Sequence, residues 1–421
     1  MKKLLYILSG NLSTTPRALQ SIKTANIRYK VAIICVNRGN NWQRLDKILV
    51  DENKLNYKSI SLQRKPFFNW LISSFINKLA EIIYPFFNKS IKINAWASSK
   101  TMYLLEKELG KTIEEYDLII AHSYSSLYPA YQFSTKHQIP FIFDIEDYHP
   151  GEKCSQDEKR RREFLMKKLL PAAAGITYAS PLIGEYSLKL IEKTSQDFPS
   201  ETGKWVLINN SFSQNEFEYK ENKSKKVKFI WFSQNISASR GLELVIPALE
   251  KFQDEVEITL IGNLNQNFYS TFLHSYNNFI QIEEPVIQSE LHCKIAQFDI
   301  GLAVEISTFD VNKDIALSNK IFSYAQAGLY ILTTDTKTQK QFISENPNLG
   351  ILTAQTIPEI EKQIEWIIQN ILNIRAEKKN RFEYAKKLAW ENESQKLLDL
   401  WENTLGAVEN PLNGVFVESS S

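Results

Sequence analysis

Cysteine is scarce in this chain of 421 residues: Cys35, Cys154 and Cys293 stand far apart, each in a different expected element. Thiols so scattered form neither a disulfide framework nor a zinc site, and they suit a reducing cytosol. The 5 histidines also lack metal-ligand spacing, so no metal is expected. An excess of one charge is missing as well. The 50 basic residues stand against 48 acidic ones, a net charge of +2, which removes the global signature of a nucleic-acid binder and makes any anion binding local. No uninterrupted apolar stretch approaches the ~20 residues that a transmembrane helix needs. Behind Lys2-Lys3 only Leu4 to Leu8 is apolar before the polar Ser9 to Thr15, so that run is expected to be a buried parallel strand rather than a signal peptide. A soluble cytoplasmic protein is expected, or one held peripherally at the inner face of a membrane.

What is present is alternation. Strands are expected from Lys3 to Leu8, Val31 to Cys35, Tyr57 to Ile60, Leu118 to Ala121, Phe141 to Phe143, Gly175 to Tyr178 and Trp205 to Ile208, with helices between them. One helix opens at Thr15-Pro16 as N-cap and first helical residue. The stretch from Asn210 to Lys226 breaks the pattern, its Lys220 to Lys226 portion too poor in apolar residues to pack, and reads as a linker. A second series follows, with strands from Lys228 to Phe232, Glu257 to Ile261, Phe279 to Ile282, Ile300 to Val304, Leu329 to Thr333 and Gly350 to Leu352. The fold class is therefore α/β, with two Rossmann-like, doubly wound parallel-sheet domains. Pro358 to Leu405 reads as helical, with Trp390 and Trp401 as anchors that need a surface.

The most informative segment is Leu317 to Gly328, LSNKIFSYAQAG. Ser318 is a suitable N-cap, Lys320 puts a positive charge in the first turn, and Gly328 sits where a left-handed residue ends a short helix. Expected strands flank it on both sides, so its N-terminus falls at the edge where α/β proteins hold anionic ligands. The run SNKIFSYAQAG resembles the donor-site helix of GT-B-fold glycosyltransferases, particularly the nucleotide-sugar-dependent family 4. Other pieces follow in the family's order: Asp117 to His122, Pro140 to Asp147, the Ile208-Asn209-Asn210 turn and Ser239-Arg240-Gly241-Leu242-Glu243. One feature departs from it. Many members carry two glutamates eight positions apart around this helix, and here Ile315 and Ser323 hold those places.

The resemblance implies an acceptor-side domain over 1–209, a linker over 210–226, a nucleotide-sugar-binding domain over 227–384, a helix over 385–408 that crosses back, a loose tail over 409–421, and a cleft between the domains. On the donor side, Arg240 before Gly241 can reach phosphate oxygens and make a two-cation clamp with Lys320. Ser318, Asn319 and Tyr324 accompany Lys320 on the donor helix, and Gly262-Asn263, read as a strand end, allows close backbone approach to a nucleotide. Glu305, at another strand end, is a candidate for a ribose or sugar hydroxyl. On the acceptor side, His122 ends one strand, while Asp144, Glu146, Asp147 and His149 crowd the end of another; such groups orient hydroxyls and shift one another's pKa. Of these, His122, Asp147 and His149 are the catalytic candidates. Arg17 either meets an anionic part of donor or acceptor or pairs with the acidic cluster.

The implied activity is transfer of a sugar from a nucleotide diphosphate donor to a hydroxyl of a glycan or lipid-linked acceptor, with retention and without metal or other cofactor. The alternatives are a sugar-nucleotide 2-epimerase and a non-catalytic partner subunit. Finally, Pro66 to Ile93 interleaves Phe67, Phe68, Trp70, Phe75, Tyr84, Phe86 and Phe87 with lysines. Such a stripe is either helix core or an interfacial patch for a membrane or lipid-linked acceptor, and some of its rings are expected at the surface.

Overall fold

Apolar runs bounded by polar turns become parallel strands because only a sheet covered on both faces buries every side chain along them. The computed structural model describes residues 1–39, 41–64, 67–191 and 204–409. Lys65, Pro66 and the expected tail from 410 onward lie outside the described residues. Contacts divide the chain into unit 1, comprising Met1–Pro150, Cys154–Ile208 and the chain from Ser394 onward, and unit 2, comprising Gly151–Lys153 and Asn209–Glu393.

Unit 1 is built on β1 (Lys3–Leu8), β2 (Lys30–Asn37), β3 (Asn56–Ser61), β4 (Leu118–His122), β5 (Phe141–Ile145), β6 (Gly175–Tyr178) and β7 (Trp205–Leu207). Their order in the sheet is β3-β2-β1-β4-β5-β6-β7, with every pairing parallel. The direction of winding therefore reverses between β1 and β4, and that reversal opens a crevice at the strands' carboxyl ends. The helix Pro16–Arg28 starts there, with Thr15 as N-cap.

Unit 2 repeats the plan with β8 (Val227–Ile236), β9 (Val256–Leu264), β10 (Ile280–Glu283), β11 (Ile300–Ala303), β12 (Tyr330–Thr334) and β13 (Gly350–Thr353). The order is β10-β9-β8-β11-β12-β13, again all parallel, so the reversal falls between β8 and β11. Alternate residues of β8 feed opposite faces: Phe229 and Trp231 join one core with Leu249 and Ile364, and Ile230 joins the other with Phe322 and Tyr324.

Two segments mark the ends of unit 2. The stretch expected as a linker folds onto unit 2, because Phe212 and Phe217 are buried in its core and the Gln326 amide accepts from the Phe212 N–H at 3.0 Å and donates to its carbonyl at 2.7 Å. The last helix, Trp390–Glu409, begins in unit 2, where the Trp390 N–H donates to the Phe212 carbonyl. From Ser394 it belongs to unit 1, with Trp401 fully buried edge-on to Tyr29.

Candidate functional site

At the carboxyl edge of unit 2, the residues after β8 and β11 converge. Ser239 and Gly241 both take positive φ, at 64° and 82°, and curl the chain so that Gly241 caps the helix Leu242–Glu250. A side chain at Gly241 would press on Val304, within 2.9 Å of its Cγ2, so glycine is what lets this turn lie against the end of β11. Arg240, between them, donates through Nη1 to Ser233 Oγ at 2.8 Å. Beside Val304, the Glu305 backbone is held from both sides by the Thr334 hydroxyl. The Glu305 carboxylate takes Lys320 Nζ at 3.1 Å on one oxygen and Lys313 Nζ at 2.9 Å on the other.

The Glu305–Lys320 pair is buried, its side chains 9% and 8% exposed, while Lys313 reaches in from the half-buried rim. Burial alone would raise the Glu305 pKa, but Lys320 and Lys313 outweigh it and hold the carboxyl at about 2. Burial lowers the Lys320 pKa, with Glu305 opposing and with Lys313 and Arg240 adding to the effect as nearby like charges. Lys320 also lies 5.2 Å from the centre of the Trp231 ring, a cation–π contact. It enters through the first turn of the helix Asn319–Gln326, whose N-cap Ser318 accepts from the Lys320 N–H. Two cations, Lys313 and Lys320, thus hold one carboxylate at the point where the sheet reverses, with Arg240 close enough to act on Lys320.

Unit 1 carries a second cluster at its own reversal. His122, the last residue of β4, bonds through Nδ1 to Asp144 Oδ2 at 3.0 Å and lies 3.8 Å from Glu146 Oε1. Arg17 grips both oxygens of Asp144, from Nε and Nη2, at 2.7 Å each, and also donates to the Ile208 carbonyl. Thr177 donates to the same carboxylate. Burial would lower the His122 pKa, but Asp144 and then Glu146 raise it to about 9, so the ring is an imidazolium at neutral pH. Its Nε2 is buried with no hydrogen-bond partner among the described residues. The next residue, Ser123, sits at φ 67° and donates to Glu146 Oε2 at 2.7 Å. A strained serine beside a buried donor with nothing to bond is the kind of arrangement that persists where a ligand completes it.

The donor atoms of His122, Asp144 and Glu146 lie within 4.8 Å of one another, close enough to share a metal ion. Their chemistry does not fit one. Arg17 and Thr177 occupy both oxygens of Asp144, so a cation would have to displace a buried guanidinium beside an imidazolium.

No protein-family model matches this chain, and no curated protein matches it. Solved structures do. The Anabaena protein Alr3699/HepE in complex with UDP and glucose superposes with a TM-score of 0.67 at 14% identity, covering 96% of this chain and 100% of that one. Sucrose-phosphate synthase from Thermosynechococcus elongatus gives 0.65 at 13% identity, over 97% and 100%. The S. aureus MnaA structure with UDP gives 0.58 at 12%, over 100% and 99%. The fold is GT-B.

Within that GT-B fold the expected residues separate. Arg240, Gly241, Glu305, Ser318, Asn319 and Lys320 gather at one edge, and Lys313 joins them unforeseen, since nothing in its spacing from Glu305 shows that a short helix, Val311–Ile315, returns it. Tyr324 does not belong to this edge. It is fully buried, its hydroxyl at 3.3 Å from the Ile230 carbonyl, and its ring fills the space left by Gly301, where a side chain would overlap it. Gly262 and Asn263 do not end a strand: β9 runs through both to Leu264, and Gly262, at φ 156°, is required because the Ser233 carbonyl of β8 lies where a Cβ would be. Asn263 donates to the Gln234 carbonyl at 2.9 Å, bracing the same edge. At the positions of the two missing glutamates, Ile315 and Ser323 are buried.

In unit 1, His122 is joined by Asp144, Glu146 and Thr177. Arg17 is a buried counter-ion of Asp144, which is the pairing alternative drawn from the sequence. His149 is turned toward the start of the helix Tyr124–His137, where its Nε2 accepts from the Tyr124 N–H at 3.2 Å. Asp147 is half-buried on the turn after β5.

Proposed function

We propose that this protein transfers a sugar from a nucleotide diphosphate donor to a hydroxyl of a glycan or lipid-linked acceptor. The observation that carries the reading is the pairing of Lys313 and Lys320 with Glu305 at the sheet reversal of unit 2, with Arg240 as a further cation near Lys320. Fixed cations at such an edge stabilise the charge that develops on a departing diphosphate. The bond from the anomeric carbon to the diphosphate oxygen breaks, its electron pair leaves with the nucleotide, and a new bond forms to the acceptor oxygen. On the family-4 resemblance we assign retention, with the acceptor proton passing to the leaving phosphate on the same face.

In unit 1, His122 is assigned as a donor of a hydrogen bond rather than as a base, because its raised pKa keeps Nε2 protonated at neutral pH. Arg17 and Asp144 act as positioning residues that hold its ring. Should the anomeric centre invert instead, Asp147 or His149 is the base. We assign the reaction to the cytoplasm, in keeping with three cysteines that form no disulfide among the described residues.

Uridine diphosphate, the nucleotide in the HepE and MnaA structures, is the first base to try. The test is incubation of purified protein with a panel of nucleotide sugars, with and without acceptor glycans or lipid-linked saccharides. Acceptor-dependent nucleotide release supports the proposal. Conversion of the donor without acceptor indicates a 2-epimerase, and nucleotide binding without turnover indicates a non-catalytic subunit.

A further inference from the structure

The helix Phe67–Ile83 is turned inside out. Its buried face is made of small and polar residues: Ser73 and Ala80 are buried, and Asn77 donates to the Trp96 carbonyl at 2.7 Å. The opposite face carries Phe68, Leu71, Ile72, Phe75, Leu79 and Ile82, all exposed. At the helical repeat these six fall within an arc of about 100°. Past the helix end the apolar surface continues into Phe86 and Phe87, 83% and 56% exposed. Water is a poor medium for such a stripe, since soluble proteins seldom expose a contiguous apolar patch of this kind without a partner.

The charge around it identifies the partner. From Arg64 to Lys100 the sequence holds Arg64, Lys65, Lys78, Lys89, Lys92 and Lys100 against one acid, Glu81. That is a surplus of 6 − 1 = 5 positive charges in a chain whose net charge is +2, so the remainder of the molecule is negative. Arg64, Lys78, Lys89 and Lys92 are exposed. A protein partner would need only the apolar stripe, whereas an anionic bilayer uses both features: its acyl boundary takes the apolar face and its headgroups take the lysines. No helix among the described residues is long and apolar enough to cross a membrane, so the contact is interfacial.

We infer that the helix Phe67–Ile83 and the turn through Phe87 dock this protein on an anionic lipid surface. This inference is independent of the transfer reaction, and its test contains neither nucleotide nor acceptor. The full chain is sedimented with vesicles of phosphatidylcholine, or of an equal mixture of phosphatidylcholine and phosphatidylglycerol, and binding is titrated. Expected are binding to the anionic vesicles about tenfold or more tighter than to the neutral ones, weakening with added salt, and loss in Phe68→Ser/Leu71→Ser/Phe75→Ser. Because those side chains are exposed, the triple variant should keep its melting temperature. Lys89→Glu/Lys92→Glu provides a second variant that leaves the stripe intact and should bind anionic vesicles about tenfold more weakly. Absence of binding to either vesicle overturns the inference. So does equal binding to both, or a wild-type dimer that the triple variant converts to monomer, since a second copy would then cover the stripe.

Discussion

Glu305→Gln separates two roles for the carboxylate at the carboxyl edge of unit 2, the edge proposed to take the donor. In one, Glu305 binds ribose or sugar directly; in the other, it stands in for the donor phosphate until the nucleotide arrives. Its oxygens lie 2.9 and 3.1 Å from Lys313 and Lys320, and breaking such a buried pair costs about 3–5 kcal/mol. The glutamine retains one acceptor oxygen, which favours the lower end. The pKa agrees: a fall from 4.5 to about 2 corresponds to ~3 kcal/mol at neutral pH. A depressed carboxyl stabilises above its unfolded pKa and loses that contribution as pH falls through the folded one, so the difference between wild type and variant should be complete at neutral pH and vanish near pH 2. Unfolding of unit 2 can be followed by hydrogen exchange of the β8 and β11 amides, with and without UDP. If Glu305 is the stand-in, the variant is ~3 kcal/mol less stable without UDP, yet gains more from it than wild type does, because the phosphates restore the missing counter-charge. Saturation at a hundredfold over Kd stabilises by about 2.7 kcal/mol, so a tighter Kd appears as a larger gain. A variant as stable as wild type at neutral pH, or one that gains less from UDP, would refute the reasoning.

Three further outcomes follow from named contacts. Arg240→Ala and Lys320→Ala should each weaken UDP binding by about 1.5–3 kcal/mol, and unchanged affinity by calorimetry in both would remove the phosphate clamp. His122→Asn should bind UDP normally and lose transfer; because the folded pKa of about 9 exceeds the ordinary 6.5, His122 stabilises fully below pH 6.5 and loses ~3 kcal/mol as pH rises through 9, so urea titrations of variant and wild type should converge at alkaline pH. Tyr324→Phe should leave UDP affinity unchanged while costing about 0.5–1.5 kcal/mol for the lost hydroxyl contact with the Ile230 carbonyl, and a clear loss of UDP affinity would return Tyr324 to the ligand.

The strands were legible because parallel strands buried on both faces must be apolar without interruption, and that signal survives without knowledge of the partners. Pairings across the sheet were not. Lys313 comes back to Glu305 through the short helix Val311–Ile315, and Arg17 reaches Asp144 across 127 positions; neither spacing has a periodicity that marks it. Tyr324 reads like Lys320 because residues four apart share a helix face. That face meets Glu305 and the Trp231 ring at the helix start and the β8 and β11 backbone one turn later, so the two residues end in different surroundings. Gly262 reads as a strand end because glycine usually interrupts a strand, whereas here it is the close approach of β8 that excludes a side chain.

Both clusters nevertheless sit where elementary topology puts them. In each sheet the winding reverses once, between β1 and β4 and between β8 and β11, and only there do helices diverge to leave strand ends uncovered. A charged residue placed elsewhere along these strands would be buried without recourse to water or ligand. Residue type alone does not mark such an edge: His122 ends a reversal strand and Glu305 follows one, while His292, equally buried, lies on the helix Gln288–Ile295, where it pairs with Glu216 at 2.9 Å and stacks on Phe217 at 4.2 Å. The helix Phe67–Ile83 shows a further limit. Its amphipathic period is plain in the sequence, but periodicity alone does not say which side faces inward. The small residues decide it, because Ser73 and Ala80 permit close packing that Phe68 and Phe75 would prevent.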